Sequence, residues 1–527
     1  MTAVSSPPPA ATQSRIPARP VGRLRFERPS LITGGLFTLL MVVIATRLPW
    51  ADDLMLHLAV LRRLIENPLH PGSPVLDQGG SSIYYSPYML ALALPAKALG
   101  LSAYTMYKFA AVVNVLLLQF GLYRFVRTLS PARWAPPLAL IGLLLWWGTS
   151  DFAWSGFLSL ISLSDTEAYP STLATGLMLL LWAWLYDRRG GRTLLSPVRM
   201  AGLGALLGLI LLIHQFTGIS AVLGCLAILV ARRRELRSRA GAWALGAGVA
   251  GCALVIAAWP YYHLWSVSQG NLDLLDPVHR PLYDHVAQWY GLGAVLGIVA
   301  LAFRVRRRGW DDVLVLMFAA SGLIVAYGRL SDHYSYGRSW PMLMLAGQLA
   351  VAVAVAEVGP GRARWAWGVP VAAVTGLGLL SQAATFAYLL PRSTQESVTN
   401  ALDDTPLGVR EAVDDLPHLA WLDGYLKPTD VVAADDDVSR FEIAAHGAYN
   451  VTTPWYLPEL SKAEYKGRKV VSWTLFGKDT PAAERVALIR QYRVGWMLLS
   501  GDEQVPAGIA VTQVAQGDGY RLYRVER

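Results

Sequence analysis

The chain has 527 residues, of which 54% are hydrophobic and 16% are charged, and its mean hydropathy is +0.36. This composition does not fit soluble domains and excludes a soluble multidomain enzyme. The net charge of +9 does not point to nucleic acid, because residues 390–527 hold 15 Lys and Arg against 20 Asp and Glu, which leaves 31 against 17 for residues 1–389. A basic excess confined to the apolar part is typical of a membrane protein. The two cysteines lie in apolar runs, so no cysteine-based metal site or disulfide framework is expected.

Residues 1–30 are rich in Pro, Ser and Arg and predict a disordered basic cytoplasmic tail. Eleven apolar segments follow and predict a polytopic α-helical membrane protein with about eleven transmembrane helices. Several segments have only about 14–18 residues, at or below the length that crosses a hydrocarbon core of about 30 Å. The segments are 31–49, 105–123, 135–149, 171–186, 200–213, 216–231, 242–264, 287–303, 311–328, 339–357 and 366–390.

Arginines in alternate loops predict the orientation. The positive-inside rule places these loops, and with them the amino terminus, in the cytoplasm. An odd number of crossings then places residues 391–527 outside the plasma (inner) membrane. The clusters are Arg124, Arg127 and Arg133; Arg188, Arg189, Arg192 and Arg199; Arg232, Arg233, Arg234, Arg237 and Arg239; Arg304, Arg306, Arg307 and Arg308; and Arg362 and Arg364.

Residues 391–527 have a different composition and predict a small extracytoplasmic α/β domain. Four short apolar stretches are predicted strands, at 430–435, 494–500, 509–514 and 520–525. Residues 481–492 are a predicted helix with Pro481 at its start. The chain contains neither a GxxxxGK[ST] loop nor a GxGxxG after a strand, which argues against a nucleotide-driven pump.

The first outer loop, residues 50–104, carries the strongest chemical signal. It begins with two adjacent carboxylates, Asp52 and Asp53, at the exit of a membrane helix, where ionisable side chains are costly and suggest function. A short helix over 59–65 follows, then a polar turn that includes Tyr84 and Tyr85. Residues 89–101 are apolar but too short to cross, and predict a helix along the membrane surface.

These features together resemble the GT-C superfamily of membrane glycosyltransferases, and the actinobacterial arabinofuranosyl- and mannosyltransferases of cell-envelope synthesis in particular. The resemblance rests on the acidic pair in its loop and on the layout of three later motifs and a terminal outer domain. The motifs are Ser155-Gly156-Phe157 to Tyr169-Pro170-Ser171-Thr172, Ile213-His214-Gln215-Phe216-Thr217-Gly218, and Tyr336-Gly337-Arg338-Ser339-Trp340-Pro341. The resemblance implies a GT-C-like transmembrane domain over 31–390 and an outer α/β domain over 391–527.

The resemblance also implies a chemistry. An inverting transfer from a glycosyl phosphate needs a carboxylate to take the acceptor proton and cations to hold the departing phosphate. In the family the acidic residue that opens this loop acts as base or metal partner, which favours Asp53 over Asp52. The alternative is that one of these two residues only caps a helix.

Arginine is suited to phosphate binding. In the family a basic residue near the start of the late span contacts the carrier phosphate, and Arg338 matches it best, assisted by Arg329 or His333. The alternative is that Arg338 only extends to the membrane interface. Other basic residues expected on the outer side include Arg62, Arg63 and Lys97.

Further candidates in the outer loops are His57, Tyr84, Tyr85 and His214. Asp165 and Glu167 offer oxygen ligands for Ca²⁺ or Mg²⁺, although solvated loop charges explain them equally well. No HExxH-type pair is present, so a divalent cation is an open option and no metal site is assigned.

The sequence thus predicts an enzyme that moves a sugar, arabinofuranose or mannose, from a polyprenyl-phosphate donor to a cell-envelope glycan or glycolipid on the outer face. Donor, acceptor and membrane lipid are the expected partners, and nucleic acid is not. Two alternatives are a flippase or transporter of lipid-linked sugars, and a non-catalytic envelope-assembly protein. A transporter needs polar residues within several spans, but few are predicted there, Asn114, Gln119 and Gln348 among them.

Overall fold

The computed structural model describes most of the chain, namely residues 26–48, 53–80, 82–150, 152–187, 195–264, 275–359, 361–391, 394, 419–455, 457, 459–501 and 503–526. The predicted tail falls mainly outside these residues, as does Asp52.

The described part up to residue 391 is helical. Its α-helices, numbered here in chain order, are α1 (Arg28–Arg47), α2 (Leu54–Glu66), α3 (Pro87–Leu99), α4 (Ala103–Leu129), α5 (Ala135–Leu145), α6 (Leu160–Thr166), α7 (Pro170–Tyr186), α8 (Pro197–Ile213), α9 (Gln215–Ala231), α10 (Arg233–Leu236), α11 (Arg239–Ala257), α12 (Asp276–His279), α13 (Val286–Arg308), α14 (Val313–Leu330), α15 (Trp340–Glu357) and α16 (Arg362–Ser381). Short 3-10 turns at Arg280–Tyr283, Tyr334–Ser339 and Ala383–Leu389 connect them.

A helix forms in each of the eleven apolar segments predicted from the sequence. Among the described residues, six helices are long and apolar enough to cross a membrane, or eight if each of two sharply bent pairs forms one span. The remaining three, α5, α8 and α9, have 11, 17 and 17 residues. At 1.5 Å per residue α5 is far shorter than a bilayer core. The count of eleven crossings therefore stays a prediction.

Helix α15 lies at the centre of the bundle. It is apolar on all sides, and it packs mainly against α5, α13 and α14. Such a helix needs neighbours or lipid on every face. By contrast, α1 and α11 are apolar but largely exposed, as expected for helices that face lipid.

Residues 419–526, called here the C-terminal region, contain the predicted strands. The strands are β1 (Val431–Ala434), β2 (Tyr449–Asn450), β3 (Trp496–Ser500), β4 (Val511–Gly517) and β5 (Tyr520–Val525), and the helices are α17 (Asp437–Ala445), α18 (Lys462–Phe476) and α19 (Ala482–Gln491). The sheet order is β2-β1-β3-β5-β4, with β1 parallel to both neighbours and β5 antiparallel to both of its neighbours. All four predicted strands and the predicted helix are present, whereas α17, α18 and β2 were not anticipated.

The C-terminal region contacts the same end of the helical bundle as α2 and α3. We call this end the outer face, following the predicted orientation. Two separate apolar cores hold the sheet together, but residues 441–465 also contribute to the core of the helical part.

Helices α8 and α11 make the closest helix contact in the bundle, through glycines. A methyl group at Gly204 would lie 1.8 Å from the carbonyl oxygen of Gly248, and one at Gly208 would lie 2.7 Å from that of Cys252. Small residues spaced four apart allow membrane helices to approach in this way, and close approach gives the van der Waals contact that lipid cannot supply.

We therefore predict that Gly204→Ala destabilises the protein, since overpacking typically costs about 1–3 kcal/mol. Gly202→Ala on the same helix is the matched control, because it is exposed and a methyl group there meets nothing within 4 Å. Melting temperatures of the two purified variants in detergent measure the difference. Equal melting temperatures would show that α8 and α11 separate at little cost.

Candidate functional site

Asp53 occupies the N-cap position of α2 but does not cap the helix. Its backbone lies in the helical region and its side chain makes no capping hydrogen bond. The capping alternative therefore does not account for Asp53. Asp52 lies outside the described residues, so the structure does not choose between the two carboxylates.

Arg338 lies in the 3-10 turn that opens α15, and it borders a cleft between α7, α9 and α15. Its guanidinium carbon is 4.8 Å from the ring centre of Phe216, at cation–π distance. Gly156, with φ +82°, lies where the walls meet: a methyl group there would be 3.8 Å from Arg338 Nη2, from His214 Cε1 and from Ser171 Cβ. The three sequence motifs that carry the family resemblance thus meet at one point.

The cleft has a polar end and an apolar wall. Helices α7, α9 and α15 all begin at the outer face, so their positive dipole ends lie there and favour an anion. The polar lining residues are Ser155, Thr175, His214, Thr217, Ser220 and Arg338, and the apolar ones are Leu158, Met178, Phe216, Met342 and Leu345.

His214 separates α8 from α9 with a single residue. Its extended backbone ends α8. Its Nδ1 accepts a hydrogen bond of 3.2 Å from the backbone nitrogen of Thr217 and so caps the start of α9. Gly218 makes the tight reversal possible, because a side chain there would meet Leu211 at 2.6 Å. The break predicted at 213–218 is confirmed, and its cause is this cap.

Tyr84 lies near both Asp53 and Arg338, the cation of the cleft. Burial raises the pKa of its hydroxyl well above the ordinary value, the charges of Asp53 and Glu459 raise it further, and the charge of Arg338 opposes them. Three charged groups, from the first outer loop, the C-terminal region and the 3-10 turn before α15, are therefore close to one hydroxyl. This convergence defines the candidate active site.

His57, on α2, packs among aromatic rings beside Tyr84. Its ring centre lies 5.8 Å from that of Tyr84 and 4.9 Å from that of Tyr169. Burial lowers the pKa of His57 to about 3, so the imidazole is neutral at physiological pH. It contacts Tyr84 as a neutral ring and does not supply a positive charge for a phosphate. Tyr85 is buried and has no hydrogen-bond partner for its hydroxyl among the described residues.

Arg329 and His333 do not share the environment of Arg338. Arg329 is exposed near the end of α14. The His333 side chain is 56% exposed, and its Nδ1 lies 3.4 Å from Asp276 Oδ2. Asp276 also accepts hydrogen bonds from Ser335, which fixes the turn that carries Arg338. Of the predicted phosphate ligands, only Arg338 lines the cleft.

Asp165 and Glu167 lie at the bend between α6 and α7. Asp165 accepts a hydrogen bond of 2.9 Å from the hydroxyl of Tyr388. Glu167 is buried, and Asn114 donates to its carbonyl oxygen. Among the described residues no three His, Cys, Asp or Glu side chains group as metal ligands. A cation held by these two residues stays a prediction.

The C-terminal region is docked onto α2 by two arginines that the sequence offered as further phosphate ligands. Arg62 pairs with Asp423 at 3.1 Å. Arg63 donates to the carbonyl oxygen of Pro428 and lies 3.7 Å over the ring of Tyr449. Lys97, the third of that set, donates to carbonyl oxygens at the end of α2. These three residues therefore hold the outer face together.

A buried histidine lies behind this contact. His446 Nδ1 is 2.6 Å from Asp423 Oδ1, and its Nε2 is 3.5 Å from Glu442 Oε2. Burial lowers the pKa of His446, but the two carboxylates raise it by more, so the net pKa lies above the ordinary 6.5. The hydrogen bond from His446 lowers the pKa of Asp423 below its ordinary 3.8.

This cluster predicts a pH dependence of stability. The raised pKa of His446 contributes stability that is complete below pH 6.5 and lost as pH rises through that raised pKa. The lowered pKa of Asp423 contributes stability above pH 3.8 that is lost only as pH falls through the lowered value. The contribution is therefore largest between these limits.

The melting temperature should accordingly fall more between pH 6 and pH 9 in the unaltered protein than in Asp423→Asn. Asp479→Asn, an exposed change in the same region, is the control and should keep the dependence of the unaltered chain. The same pH slope in all three proteins would contradict the prediction.

The fold is similar to two solved membrane glycosyltransferases. Arabinofuranosyltransferase AftD from Mycobacteria superposes with a TM-score of 0.58 and 14% identity, over 95% of this chain and 40% of AftD. ArnT from Cupriavidus metallidurans superposes with a TM-score of 0.52 and 14% identity, over 93% of this chain and 97% of ArnT. The chain therefore has the GT-C fold and is a multi-pass membrane protein.

The chain spans about 40% of the length of AftD. No protein-family model matches it, and no curated protein matches it either.

Proposed function

We propose that the protein is a GT-C glycosyltransferase that moves a sugar from a polyprenyl-phosphate donor to a glycan or glycolipid of the cell envelope. The single observation that carries the proposal is the placement of Asp53, Tyr84 and Arg338 together at the outer face. A carboxylate and a guanidinium at one site suit a reaction in which a hydroxyl loses a proton while a phosphate departs. Arabinofuranose, the sugar in the name of AftD, is the first candidate, and mannose the second.

The cleft beside Arg338 suits the donor. A polyprenyl phosphate carries its charge at one end and apolar isoprene units behind it. Arg338, the hydroxyls of Thr217 and Ser220 and the helix N-termini offer donors to the phosphate, while methionine and leucine side chains line the wall. The head group can therefore bind without the tail leaving the bilayer.

We propose Asp53 as the base in an inverting transfer. In that step an acceptor hydroxyl attacks the anomeric carbon, its proton passes to the carboxylate, and the bond to the phosphate oxygen breaks. The electron pair leaves with the phosphate, whose negative charge Arg338 stabilises. Asp52 shares the candidacy because it is adjacent in the chain.

The transporter alternative loses support from the buried amides. The side-chain nitrogen of Asn114 donates to the carbonyl oxygen of Glu167, that of Gln119 to Thr38 Oγ1, and that of Gln348 to the carbonyl oxygen of Trp146. All three amides connect neighbouring parts of the fold, as polar residues in membrane bundles commonly do. They do not form a polar path between the two faces.

Asp53→Asn should lower turnover by roughly 10²–10⁴ with donor binding largely kept, because it keeps the size of the side chain and removes the base. Asp52→Asn tests its neighbour. The control is Asp77→Asn, an exposed change in the same loop. Transfer of radiolabelled sugar by purified protein measures the rate, and full activity in both Asp52 and Asp53 variants would end the carboxylate mechanism.

Arg338→Ala should weaken donor binding by the 2–3 kcal/mol of a contact to a charged group, roughly 30- to 150-fold. Arg338→Lys should weaken it less, since lysine keeps the charge but not the paired hydrogen bonds. Donor affinity is measured by titration of each purified variant. Arg329→Ala is the comparison, and a larger effect there than at Arg338 would move the phosphate site to the end of α14.

A further inference from the structure

One loop of the C-terminal region packs into the helical part rather than into its own sheet. Trp455, Leu457 and Leu460 are buried in the apolar core that the membrane helices share, and not in the two cores of the sheet. Residue Leu457 is fully buried. This packing fixes the position of Glu459, between Leu457 and Leu460, relative to the membrane part.

Glu459 is held in a costly environment. Both carboxylate oxygens are buried, and the Ser82 hydroxyl lies beside them without completing a well-formed hydrogen bond. Burial raises the pKa of this carboxyl group, and the nearby Ser82 hydroxyl opposes the shift. A buried polar group without a partner typically costs about 1–3 kcal/mol, and more when it is charged. Such a group commonly indicates a ligand site.

The neighbours of Glu459 come from the first outer loop. Its charge acts on the hydroxyls of both Tyr84 and Tyr85, and the Tyr85 hydroxyl is itself buried without a partner. Acceptor oxygens on Glu459 and a donor hydroxyl on Tyr85 therefore lie in the same part of the outer face. The hydroxyl of Tyr84 is close enough to Glu459, Asp53 and Arg338 for their charges to act on it.

We propose that Glu459, with Tyr85, binds hydroxyl groups of the acceptor saccharide and presents one of them to the base. The inference rests on the proposed function, because it assumes that a sugar acceptor enters at this end. Carboxylate oxygens accept hydrogen bonds from sugar hydroxyls, and Tyr85 can donate one in return. A saccharide fits this site better than a cation does. Among the described residues, no group of three or more His, Cys, Asp or Glu side chains could hold a metal ion.

Saccharide binding to the full chain can be measured directly, without a sugar-transfer assay. The probes are a synthetic arabinofuranosyl tetrasaccharide and mannotriose, titrated by calorimetry. Glu459→Ala should weaken binding of the preferred probe by roughly 10- to 100-fold, and Glu459→Gln by less. Polyprenyl-phosphate affinity should stay unchanged. The control is Glu484→Gln, an exposed glutamate of the same region, which should bind both probes normally.

The melting temperature of the Glu459 variants distinguishes a binding role of this residue from a structural one. Because the carboxylate makes no well-formed hydrogen bond among the described residues, Glu459→Gln should keep or raise the melting temperature while it weakens binding. A lowered melting temperature with unchanged saccharide affinity would overturn the proposal, and so would absence of binding to the unaltered chain. Binding of Ca²⁺ that is lost in Glu459→Gln would overturn it in favour of a cation site. If the unaltered chain binds saccharide through Glu459 but transfers no sugar, the proposed function fails and this inference stands.

Discussion

The outer face of the protein is organised around one positive charge, the guanidinium of Arg338, which borders a cleft with an apolar wall. Arg338 is placed there by three local features: the 3-10 turn fixed by Asp276, the ring of Phe216, and the side-chain-free position at Gly156. A cation in such a position is costly unless an anion offsets it. Asp53 supplies nearby negative charge, and a phosphate would supply more. The same electrostatic demand therefore bears both on the fold of the outer face and on its proposed chemistry.

The docking of the C-terminal region is the second constraint. Arg62 and Arg63, on α2, form an ion pair and a hydrogen bond with this region. These contacts hold the C-terminal region over the first outer loop. Among the described residues, Arg338 is the basic residue that lines the cleft. A cover that excludes water strengthens every electrostatic contact beneath it.

Much of the helical layout follows from the sequence, because apolar runs and arginine loops are local signals. The break at His214 was predictable for the same reason, since a capping side chain acts within one turn. The four predicted strands were found because alternation in short segments is also local. Helices α17 and α18 were missed although both are amphipathic, because the predictions for this region relied on apolar stretches and both helices are polar overall.

The position of Glu459 was not predictable, because it depends on packing between residues almost 400 positions apart. No sequence motif marks it. Its position is set by the burial of Leu457 and Leu460 in the core of the helical part. Arg338, by contrast, was recognisable because the family resemblance covers its turn.

The proposed donor and acceptor parts of the site therefore come from different parts of the chain and differ in how far they tolerate substitutions. The proposed donor side is built from membrane helices, whose N-termini and small residues would fix one geometry for a phosphate. The proposed acceptor side belongs to a loop of the C-terminal region, which is held by ion pairs and by three buried apolar side chains. Such a loop can vary without disturbing the bundle, since loops tolerate change that buried helices do not. Sugar-acceptor specificity is thus expected to depend on residues 455–460, while donor chemistry depends on α7, α9 and α15.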